Sequence, residues 1–397
     1  MAVWERFSAD FLARIPWAAD GYYLAAESRI GAHPLHEAGA CYIQEPSAML
    51  PAAVLAPRPG EIVLDLCAAP GGKSTQMGAL MRGEGLLVCS EPIPDRARVL
   101  SRNVERMGLT NTLVISAWPE ELAARWPGGF DAVLADAPCS GEGMFRRVPE
   151  SRLEWQPTSP AGCAARQAEI LDAAALLVRP GGRLVYATCT LNRTENEDTV
   201  RAFLLRHPDF TLVPFSLPGA QAPEGMLTCW PHRMRGEGQF AALLLRAGDA
   251  PAALPVTPLP RPDRTAMAAM AEAVGELPAD VRCFGETLVT APPLPDLTGL
   301  RVLRCGLHLG TMKGKIFQPD HAWCVSCAPP ALPLIPLTEA DARRFQAGEA
   351  LPVAFDGKGW VLPALSGLPL GLGKVSGGLM KNHYPKGLRR AGSAPER

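Results

Sequence analysis

Short hydrophobic runs alternate with helical stretches between residues 61 and 245, and this alternation predicts a parallel sheet built from βαβ units. The hydrophobic runs are EIVLDLC, GLLVCSE, TLVIS, FDAVLAD, GRLVYAT and QFAALLL. The stretches PDRARVLSRNVERMG and CAARQAEILDAAALLV, between these runs, predict helices, and Pro180, Gly181 and Gly182 end the second one. We therefore predict an α/β, Rossmann-like domain in this region.

The segments on either side of this region have different patterns. The first residues, MAVWERFSADFLARIPW, alternate charged and apolar residues, which predicts an amphipathic helix and lacks the apolar core of a signal peptide. The proline-rich stretch from Pro251 to Arg264 predicts a semi-rigid linker, and the short strands and turns after it predict a β-rich domain. The predicted units are an N-terminal helical extension (1–55), the α/β domain (56–247), the linker (248–264) and a C-terminal domain (265–397).

Composition limits the possible partners and compartments. The 397 residues are 47% hydrophobic and carry a net charge of −1, so any contact with nucleic acid must use local basic patches. The 11 cysteines are odd in number and spread along the chain, which favours a reducing cytosol over a disulfide framework. Nothing approaches an uninterrupted apolar run long enough to cross a membrane. We expect a soluble, cytoplasmic protein with no membrane partner.

A loop of small residues follows the first predicted strand. The segment VLDLCAAPGGKST passes from this strand into a helix that begins at Lys73 or Ser74, and small residues let the backbone approach a ligand closely. A tight turn alone would explain Gly71 and Gly72, but Glu91, at the end of the second strand, can also accept hydrogen bonds from ribose hydroxyls. The loop lacks the G-x-G-x-x-G and G-x-x-x-x-G-K-[ST] patterns, so S-adenosylmethionine is favoured over NAD or ATP.

Two cysteines and a carboxylate follow later strands and are expected at the same edge of the sheet. Asp136 and Cys139 lie in LADAPCSGEGMFRR, and Cys189 lies in YATCTLNRTENED. A lone cysteine is most often a small buried hydrophobe, but both of these lie in polar, turn-forming segments past strand ends. A thiolate there would face the bound methyl donor.

Methylation of cytosine at carbon 5 needs these groups, because carbon 5 becomes nucleophilic only after a thiolate adds to carbon 6. We predict Cys189 as the nucleophile, Asp136 as the acid that assists at the ring nitrogen, and Cys139 as the group that assists release. Lys73 either stabilises developing charge and orients Asp136, or is a helix-start residue that faces solvent.

The segments DLCAAPGGKS, DAPCSGEGMF and ATCTLNRTENED resemble the motifs of the bacterial and eukaryotic RNA 5-methylcytosine methyltransferases of the Sun and nucleolar-protein group. The C-terminal segments LHLGTMKGKIFQPDHA, GLPLGLGK and KNHYPKGLR resemble the RsmF branch, which acts on 16S ribosomal RNA. This resemblance implies an N-terminal RNA-binding extension (1–55), a class I S-adenosylmethionine methyltransferase domain, a C-terminal PUA-like RNA-binding domain, and ribosomal RNA or the small ribosomal subunit as partner. It places the cofactor contacts on Cys67, Ala68, Ala69, Pro70, Gly71, Gly72, Lys73, Glu91 and Asp136, the nucleophile on Cys189 and the release cysteine on Cys139.

One position departs from the family pattern. Trp118 lies where relatives carry an acidic residue that contacts the cofactor, and it either stacks on adenine or packs against the protein. We expect Trp118 to affect the affinity of the protein for the cofactor.

Two further signals lie in the C-terminal region. Cys324 and Cys327 form a C-x-x-C near His321, but only isolated residues could complete a zinc site, so we expect a packed strand and no metal. The tail is basic, which predicts RNA contact with Tyr384 as a stacking platform. Its basic residues are Lys374, Lys381, Lys386, Arg389 and Arg390.

The substrate is expected to be a flipped or unpaired cytosine, because a thiolate cannot reach carbon 6 inside a stacked helix. Two alternatives stay open: the same chemistry on transfer RNA, and a ribosome-assembly factor that binds RNA without catalysis. A monomer is expected.

Overall fold

The N-terminal extension combines a two-stranded hairpin with short helices in the computed structural model, which describes residues 6–252 and 254–389. Its elements are the strands β1 (Phe11–Arg14) and β2 (Tyr22–Leu24) and the helices α1 (Pro34–Glu37) and α2 (Leu50–Leu55). β1 pairs antiparallel with β2, so the predicted amphipathic helix is wrong over β1. Pairing with a neighbouring strand satisfies the backbone here and overrides the local pattern. Residues 1–5 of that prediction lie outside the described residues.

All six hydrophobic runs between residues 61 and 245 form strands of one sheet. These are β3 (Ile62–Asp65), β4 (Leu86–Ser90), β5 (Thr112–Ser116), β6 (Phe130–Asp136), β7 (Val178–Thr188) and β12 (Gln239–Arg246). Four short strands lie between β7 and β12 in the chain. Of these, β8 (Phe210–Leu212) and β11 (Met226–Cys229) join the same sheet, and β9 (Phe215–Leu217) and β10 (Ala220–Ala222) pair with each other in a separate one. The helices are α3 (Gly72–Met81), α4 (Pro94–Arg106), α5 (Pro119–Arg125), α6 (Ser151–Glu154), α7 (Ser159–Leu177) and α8 (Glu197–Arg206). The α/β fold is confirmed.

The strand order determines where a ligand can bind. The main path of the sheet runs β11-β12-β7-β6-β3-β4-β5 and continues with one further strand described below. The strands β3 to β7 are mutually parallel, and the order reverses between β3 and β6. In such sheets ligands bind outside the carboxyl ends of the strands at the point of reversal.

The central sheet extends beyond the proline-rich linker. Strand β15 (Arg301–Cys305) pairs antiparallel with β5 and so covers what would otherwise be an open edge. The side chains of Arg304 and Glu105 form an ion pair beside this junction. The segment predicted to belong to the C-terminal domain therefore contributes a strand to the α/β sheet, which the local pattern did not indicate.

Two smaller sheets make up the rest of the C-terminal region. The first contains β13 (Arg282–Phe284), β14 (Thr287–Thr290), β16 (Leu307–Lys313) and β17 (Ile316–Pro319), with helices α9 (Arg264–Val274) and α10 (His321–Val325). The second contains β18 (Leu334–Pro336), β19 (Leu351–Pro352), β20 (Gly359–Leu365), β21 (Leu368–Pro369), β22 (Gly373–Ser376) and β23 (Leu379–Asn382), with helix α11 (Glu339–Ala347). The β-rich character of this region is confirmed.

The C-x-x-C motif does not form the expected packed strand. Cys324 is buried in helix α10, where its thiol donates to the carbonyl oxygen of Asp320, whereas Cys327 is exposed. Within residues 6–252 and 254–389, no group of three or more His, Cys, Asp or Glu side chains could hold a metal ion.

Hydrophobic cores lie on both faces of the central sheet. Val63 and Leu64, neighbours on β3, belong to two different buried clusters, because successive side chains of a strand point to opposite faces. Residues of the N-terminal extension belong to a third core: Ile30 and Leu35 pack in one cluster with Phe345 of helix α11. None of the helices in the described part of the chain is long and apolar enough to cross a membrane.

Candidate active site

A cavity of about 370 Å³ lies at the carboxyl edge of the central sheet, where the strand order reverses. It contains most of the site residues predicted from the sequence, together with two further carboxylates and two arginines. The lining includes Tyr42, Asp65, Cys67, Ala68, Ala69, Pro70, Gly72, Lys73, Arg96, Asp136, Cys139, Cys189 and Gln239.

Side chains of helix α4 hold the small-residue loop in place. Asn103 donates through Nδ2 to the carbonyl oxygen of Pro70 at 2.8 Å, and Arg96 donates through Nη2 to that of Ala69 at 3.2 Å. Gly71 has φ of +112°, a conformation that disfavours any side chain, and helix α3 begins directly after it. The loop therefore presents its backbone to the cavity in a fixed shape.

The two predicted cysteines meet although 50 residues separate them in the chain. Their Sγ atoms are 3.3 Å apart. The pKa of Cys189 is lowered because the thiol of Cys139 donates a hydrogen bond to it, an effect that outweighs burial and the nearby Asp136 and that Lys73 assists. The same hydrogen bond, together with burial, raises the pKa of Cys139 well above its ordinary value. Cys189 is thus the thiol that ionises first, as its predicted role requires.

Lys73 and Asp136 form an ion pair in the cavity wall, with Nζ and Oδ2 2.8 Å apart. Only 13% of the Lys73 side chain is exposed, so the alternative of a solvent-facing residue is wrong. Burial acts to lower the pKa of Lys73, but the adjacent Asp136 carboxylate more than compensates, and the pKa is raised. The amide of Gln239 is 3.4 Å from Asp136 Oδ1, which fixes the carboxylate on its other side.

Glu195 connects the two cysteine loops and was not among the predicted site residues. Its carboxylate accepts from the backbone N–H of Ser140 at 2.9 Å, from Gln167 Nε2 at 2.8 Å and from Asn192 Nδ2 at 2.8 Å. Its backbone oxygen accepts from the hydroxyl of Tyr186 at 2.6 Å. The buried Glu195 carboxylate lies between the loop of Cys139 and the loop of Cys189, so it sets the distance between the two thiols.

Glu195→Gln is expected to destabilise the protein and disturb the thiol pair. The amide nitrogen would face N–H donors, and each donor left without an acceptor costs about 1–3 kcal/mol, so we expect the free energy of unfolding to fall by about 2 kcal/mol or more. Chemical denaturation measures this loss. The rate of Cys189 alkylation against pH reports the positioning role, because a displaced Cys139 no longer lowers the pKa of Cys189. In the control variant Glu197→Gln both properties should stay unchanged; a normal alkylation profile in Glu195→Gln would refute the positioning role.

Asp65 is a second site residue that was not predicted from the sequence. It ends β3, is 1% exposed, and accepts a hydrogen bond from the Ser74 hydroxyl through Oδ2 at 2.6 Å, while its buried Oδ1 has no partner. Burial raises the pKa of Asp65 to about 7, against the opposing hydrogen bond from Ser74. Asp65 ends a strand just as Asp136 does, and this position was the sequence signal that could have identified it as a site residue.

Two predicted cofactor contacts do not line the cavity. The Glu91 side chain is almost fully buried, where it accepts from the backbone N–H of Ile93 and lies 3.4 Å from Arg96 Nη2. Gly71 faces Leu100 of helix α4. Trp118 is 55% exposed at the start of α5, so its alternative role as a packing residue is wrong; stacking on adenine stays a prediction.

A larger groove of about 1090 Å³ adjoins the cavity and shares Tyr42 and Arg147 with it. Aromatic and basic side chains of the N-terminal hairpin and of two later loops line it, among them Phe11, Tyr22, Tyr23, Arg146 and Arg235. Acidic side chains line the groove as well, and Arg146 is paired with Glu237. The groove brings together segments distant in the chain, and no local pattern indicated it.

The predicted stacking role of Tyr384 is wrong. Tyr384 is 2% exposed and packs edge-on against His321 and Phe345, with ring centroids 5.3 and 5.6 Å apart. The aromatic ring completes a core because the chain after β23 turns it inward. Arg390, one of the predicted RNA contacts, lies outside the described residues.

Comparison with known proteins gives matches along nearly the whole chain. Residues 52–245 match the family model of the 16S rRNA methyltransferase RsmB/F, and residues 2–46 match the N-terminal domain of 16S rRNA methyltransferase RsmF. Residues 268–326 match the first C-terminal domain of the RsmF rRNA methyltransferase, and residues 333–390 match the methyltransferase RsmF PUA domain.

Individual relatives agree with these matches. The chain is 34% identical to the ribosomal RNA small subunit methyltransferase F of Cronobacter sakazakii, over 97% of this chain and 86% of that protein. It is also 34% identical to the protein of the same name in Klebsiella pneumoniae, over 96% of this chain and 85% of that one. Among solved structures, a methyltransferase homolog protein of Pyrococcus horikoshii has a TM-score of 0.53 and 29% identity, covering 62% of this chain and 81% of its own. NSun6 of the same organism, solved with SFG, has a TM-score of 0.50 and 29% identity, covering 57% of this chain and 58% of its own.

Proposed function

Since this chain belongs to the 16S rRNA methyltransferase RsmB/F family, we propose that it methylates carbon 5 of a cytosine in small-subunit ribosomal RNA, with S-adenosylmethionine as methyl donor. The observation that carries the proposal is the pair of thiols 3.3 Å apart, with the lowered pKa on Cys189, in the wall of the cavity formed by the small-residue loop. A monomer in the cytoplasm is part of the same proposal.

The cavity offers acceptors for the cationic groups of S-adenosylmethionine. The ligand carries a positive sulfonium and a positive amino group, and Asp65 and Asp136 line the cavity. Asp65 Oδ1 is buried without a hydrogen-bond partner, which is the state expected of an acceptor that waits for a ligand donor. The loop Cys67–Lys73 would hold the ligand by its backbone. When bound, S-adenosylmethionine supplies an electrophilic methyl group.

The chain's own residues carry the remaining chemistry. The Cys189 thiolate adds to carbon 6 of cytosine, and the electron pair displaced from the ring double bond moves toward the ring nitrogen, where the Asp136 and Lys73 pair stabilises it with a hydrogen bond. Carbon 5 then takes the methyl group. Cys139, having lost its own proton to solvent, accepts the carbon 5 proton while the sulfur–carbon 6 bond breaks and restores the Cys189 thiolate. One proton is released in total, as conversion of C–H to C–CH₃ by a cationic donor requires.

Asp65 makes cofactor binding depend on pH. Because its pKa is about 7, the carboxylate fraction grows as pH rises through neutrality, and the affinity for the cationic ligand should rise with it. Calorimetric titration between about pH 6 and pH 8 should show this rise. Asp65→Asn should weaken binding about tenfold at the upper pH and remove the dependence. An unchanged pH profile in the variant would exclude Asp65 as a cofactor contact.

Asp65 should also make the stability of the fold depend on pH, in the direction opposite to cofactor binding. The pKa of Asp65 is raised in the folded protein, from 3.8 to about 7, so the folded state binds more protons than the unfolded state between these values. The contribution of Asp65 to the free energy of unfolding is therefore greatest at low pH and is lost as pH rises through about 7. Asp65→Asn should flatten this part of the stability profile.

Incubation with tritiated S-adenosylmethionine and total bacterial RNA tests the proposed function. Label in small-subunit ribosomal RNA that digestion and chromatography identify as 5-methylcytosine supports the proposal. Label in transfer RNA would keep the chemistry and change the substrate, and absence of label on every RNA, despite cofactor binding, would favour an assembly factor without catalysis.

A further inference from the structure

The side chain of Gln239 lies between the nucleophile and the acid of the active site. Gln239 is the first residue of β12, which pairs antiparallel with β7 so that Phe240 lies opposite Thr188. One step further along this register, Gln239 lies opposite Cys189. Its Nε2 atom is 3.4 Å from Oδ1 of Asp136 on β6, the strand on the other side of β7. The side chain therefore crosses the carboxyl end of β7 to reach the carboxylate.

The proposed chemistry brings a reacting pyrimidine next to Gln239. Carbon 6 of the ring has to lie against Cys189, and the ring nitrogen opposite carbon 6 has to lie against Asp136. Gln239 lines the same cavity, although only 1% of the residue is exposed. Carbon 4 of the ring is bonded to that nitrogen, so its substituent comes within reach of the groups that adjoin Asp136.

The ion pair of Lys73 and Asp136 fixes which end of the Gln239 amide is free. A carboxylate only accepts hydrogen bonds, so the amide directs its NH₂ group at Asp136. The reverse orientation would place the amide oxygen against a negative charge. Among the described residues, this is the one hydrogen bond of the Gln239 side chain, so Oε1 is left as an acceptor for a molecule in the cavity.

The start of β12 is held in place by the N-terminal extension. The backbone N–H of Glu237 donates to Glu45 Oε1 at 2.8 Å, and that of Gly238 donates to Ser47 Oγ at 3.3 Å. Gly238 has φ of +137°, which disfavours any side chain at this position. The side chain of Gln239 thus begins from a fixed point, as selection by a single hydrogen bond requires.

An acceptor at this place distinguishes the two pyrimidines of RNA. Cytosine carries an amino group on carbon 4, which donates, whereas uracil carries a carbonyl oxygen, which accepts. Addition of a thiolate to carbon 6 activates carbon 5 of either base, so the nucleophile alone does not select between them. A buried acceptor that faces another acceptor stays unpaired, and such unpaired groups give strong discrimination.

We propose that Gln239 selects cytosine over uracil, with Oε1 accepting a hydrogen bond from the 4-amino group of the target base. Lys73 sets the polarity of the amide through Asp136. The inference rests on the proposed function, because it concerns the base that Cys189 attacks.

Gln239→Leu removes the acceptor and keeps a side chain of similar volume. Once tritium labelling has located the modified position, small-subunit RNA is assembled by ligation with cytidine, uridine or the pyrimidin-2-one nucleoside there. The last of these lacks any substituent on carbon 4. In the variant, kcat/KM on cytidine should fall about tenfold to a hundredfold, and the ratio of kcat/KM on cytidine to that on pyrimidin-2-one should fall by a similar factor. The rate on uridine relative to cytidine should rise.

These ratios separate recognition from a structural role. A displaced or destabilised site would slow all three substrates together and leave their ratios as in wild type. The matched control is Gln221→Leu, which changes an exposed glutamine of β10 outside the cavity lining and should leave every rate unchanged.

Gln239→Glu keeps an acceptor and changes the amide. Two adjacent carboxyl groups do not both ionise, so a proton shared with Asp136 would replace the N–H donor and leave one oxygen free to accept. The preference for cytidine over pyrimidin-2-one should therefore stay within about fivefold of wild type. If Gln239→Leu has no measurable activity, this variant decides the question, and loss of the preference in Gln239→Glu would overturn the inference.

The outcomes also distinguish this inference from the proposed function. A wild-type chain that labels none of the RNAs would refute the proposed function, and the inference with it. A wild-type chain that labels cytidine, together with a Gln239→Leu variant whose substrate ratios equal those of wild type, would overturn the inference alone.

Discussion

Cys189→Ala is expected to abolish methyl transfer to RNA, by roughly 10⁴-fold or more, while binding of S-adenosylmethionine persists. In this variant burial still raises the pKa of the neighbouring Cys139, which disfavours its thiolate as a substitute nucleophile. Tritium incorporation into RNA measures the first property and calorimetry the second. The control Cys327→Ala removes an exposed thiol outside the cavity lining and should retain full activity.

Retained activity in Cys189→Ala would exclude the covalent route, whatever the state of cofactor binding. Loss of both properties would instead indicate a damaged site. The pH dependence of alkylation supplies an independent check, since Cys189 should react at lower pH than Cys139 does.

Cys139→Ala is expected to trap a covalent complex of protein and RNA. Addition of Cys189 and methyl transfer can still occur, but the group proposed to accept the carbon 5 proton is gone, so elimination stalls. A tritium-labelled band that survives denaturation and migrates with the protein should appear, together with less than one turnover in free RNA. The double variant Cys139→Ala, Cys189→Ala should show no such band.

The trapped complex should form faster at higher pH. Without the hydrogen bond from Cys139, the pKa of Cys189 returns toward its ordinary value, so less thiolate is present near neutrality. A variant that turns over normally, without an adduct at any pH, would assign release to another group.

Placement of the catalytic groups at one edge could be predicted from the sequence, because it follows from a local rule. Parallel strands place their carboxyl ends at the same edge, so residues that follow these strands are expected near one cleft. The rule selected Asp136, Cys139 and Cys189 without knowledge of any contact, and the three line one cavity. It applies equally to Asp65, whose strand-end position is less conspicuous in the sequence than the small-residue loop that follows it.

No local rule could identify the residues that position the two thiols. Glu195 lies in a polar segment rich in charged residues, and nothing nearby in the chain distinguishes it from Glu197. Its importance arises because Ser140 and Gln167, from other parts of the chain, direct their N–H groups at its carboxylate. The C-terminal region also could not be predicted from local pattern. Tyr384 and Trp360 are both aromatic residues near lysines in the sequence. Only the packing of the last sheet buries Tyr384 and leaves Trp360 partly exposed.

The sequence by itself determined the α/β domain, the positions of its strands along the chain, the edge at which chemistry occurs and the pair of cysteines, because hydrophobic periodicity and strand-end position are encoded locally. The tertiary structure alone decided that residues 301–305 join the central sheet, that residues 11–24 of the extension form a hairpin, and that the thiols of Cys139 and Cys189 meet. It also decided that Asp65 is buried and that its pKa is raised to about 7. These properties depend on distances between residues far apart in the chain, and burial and charge act through those distances rather than through neighbours in sequence.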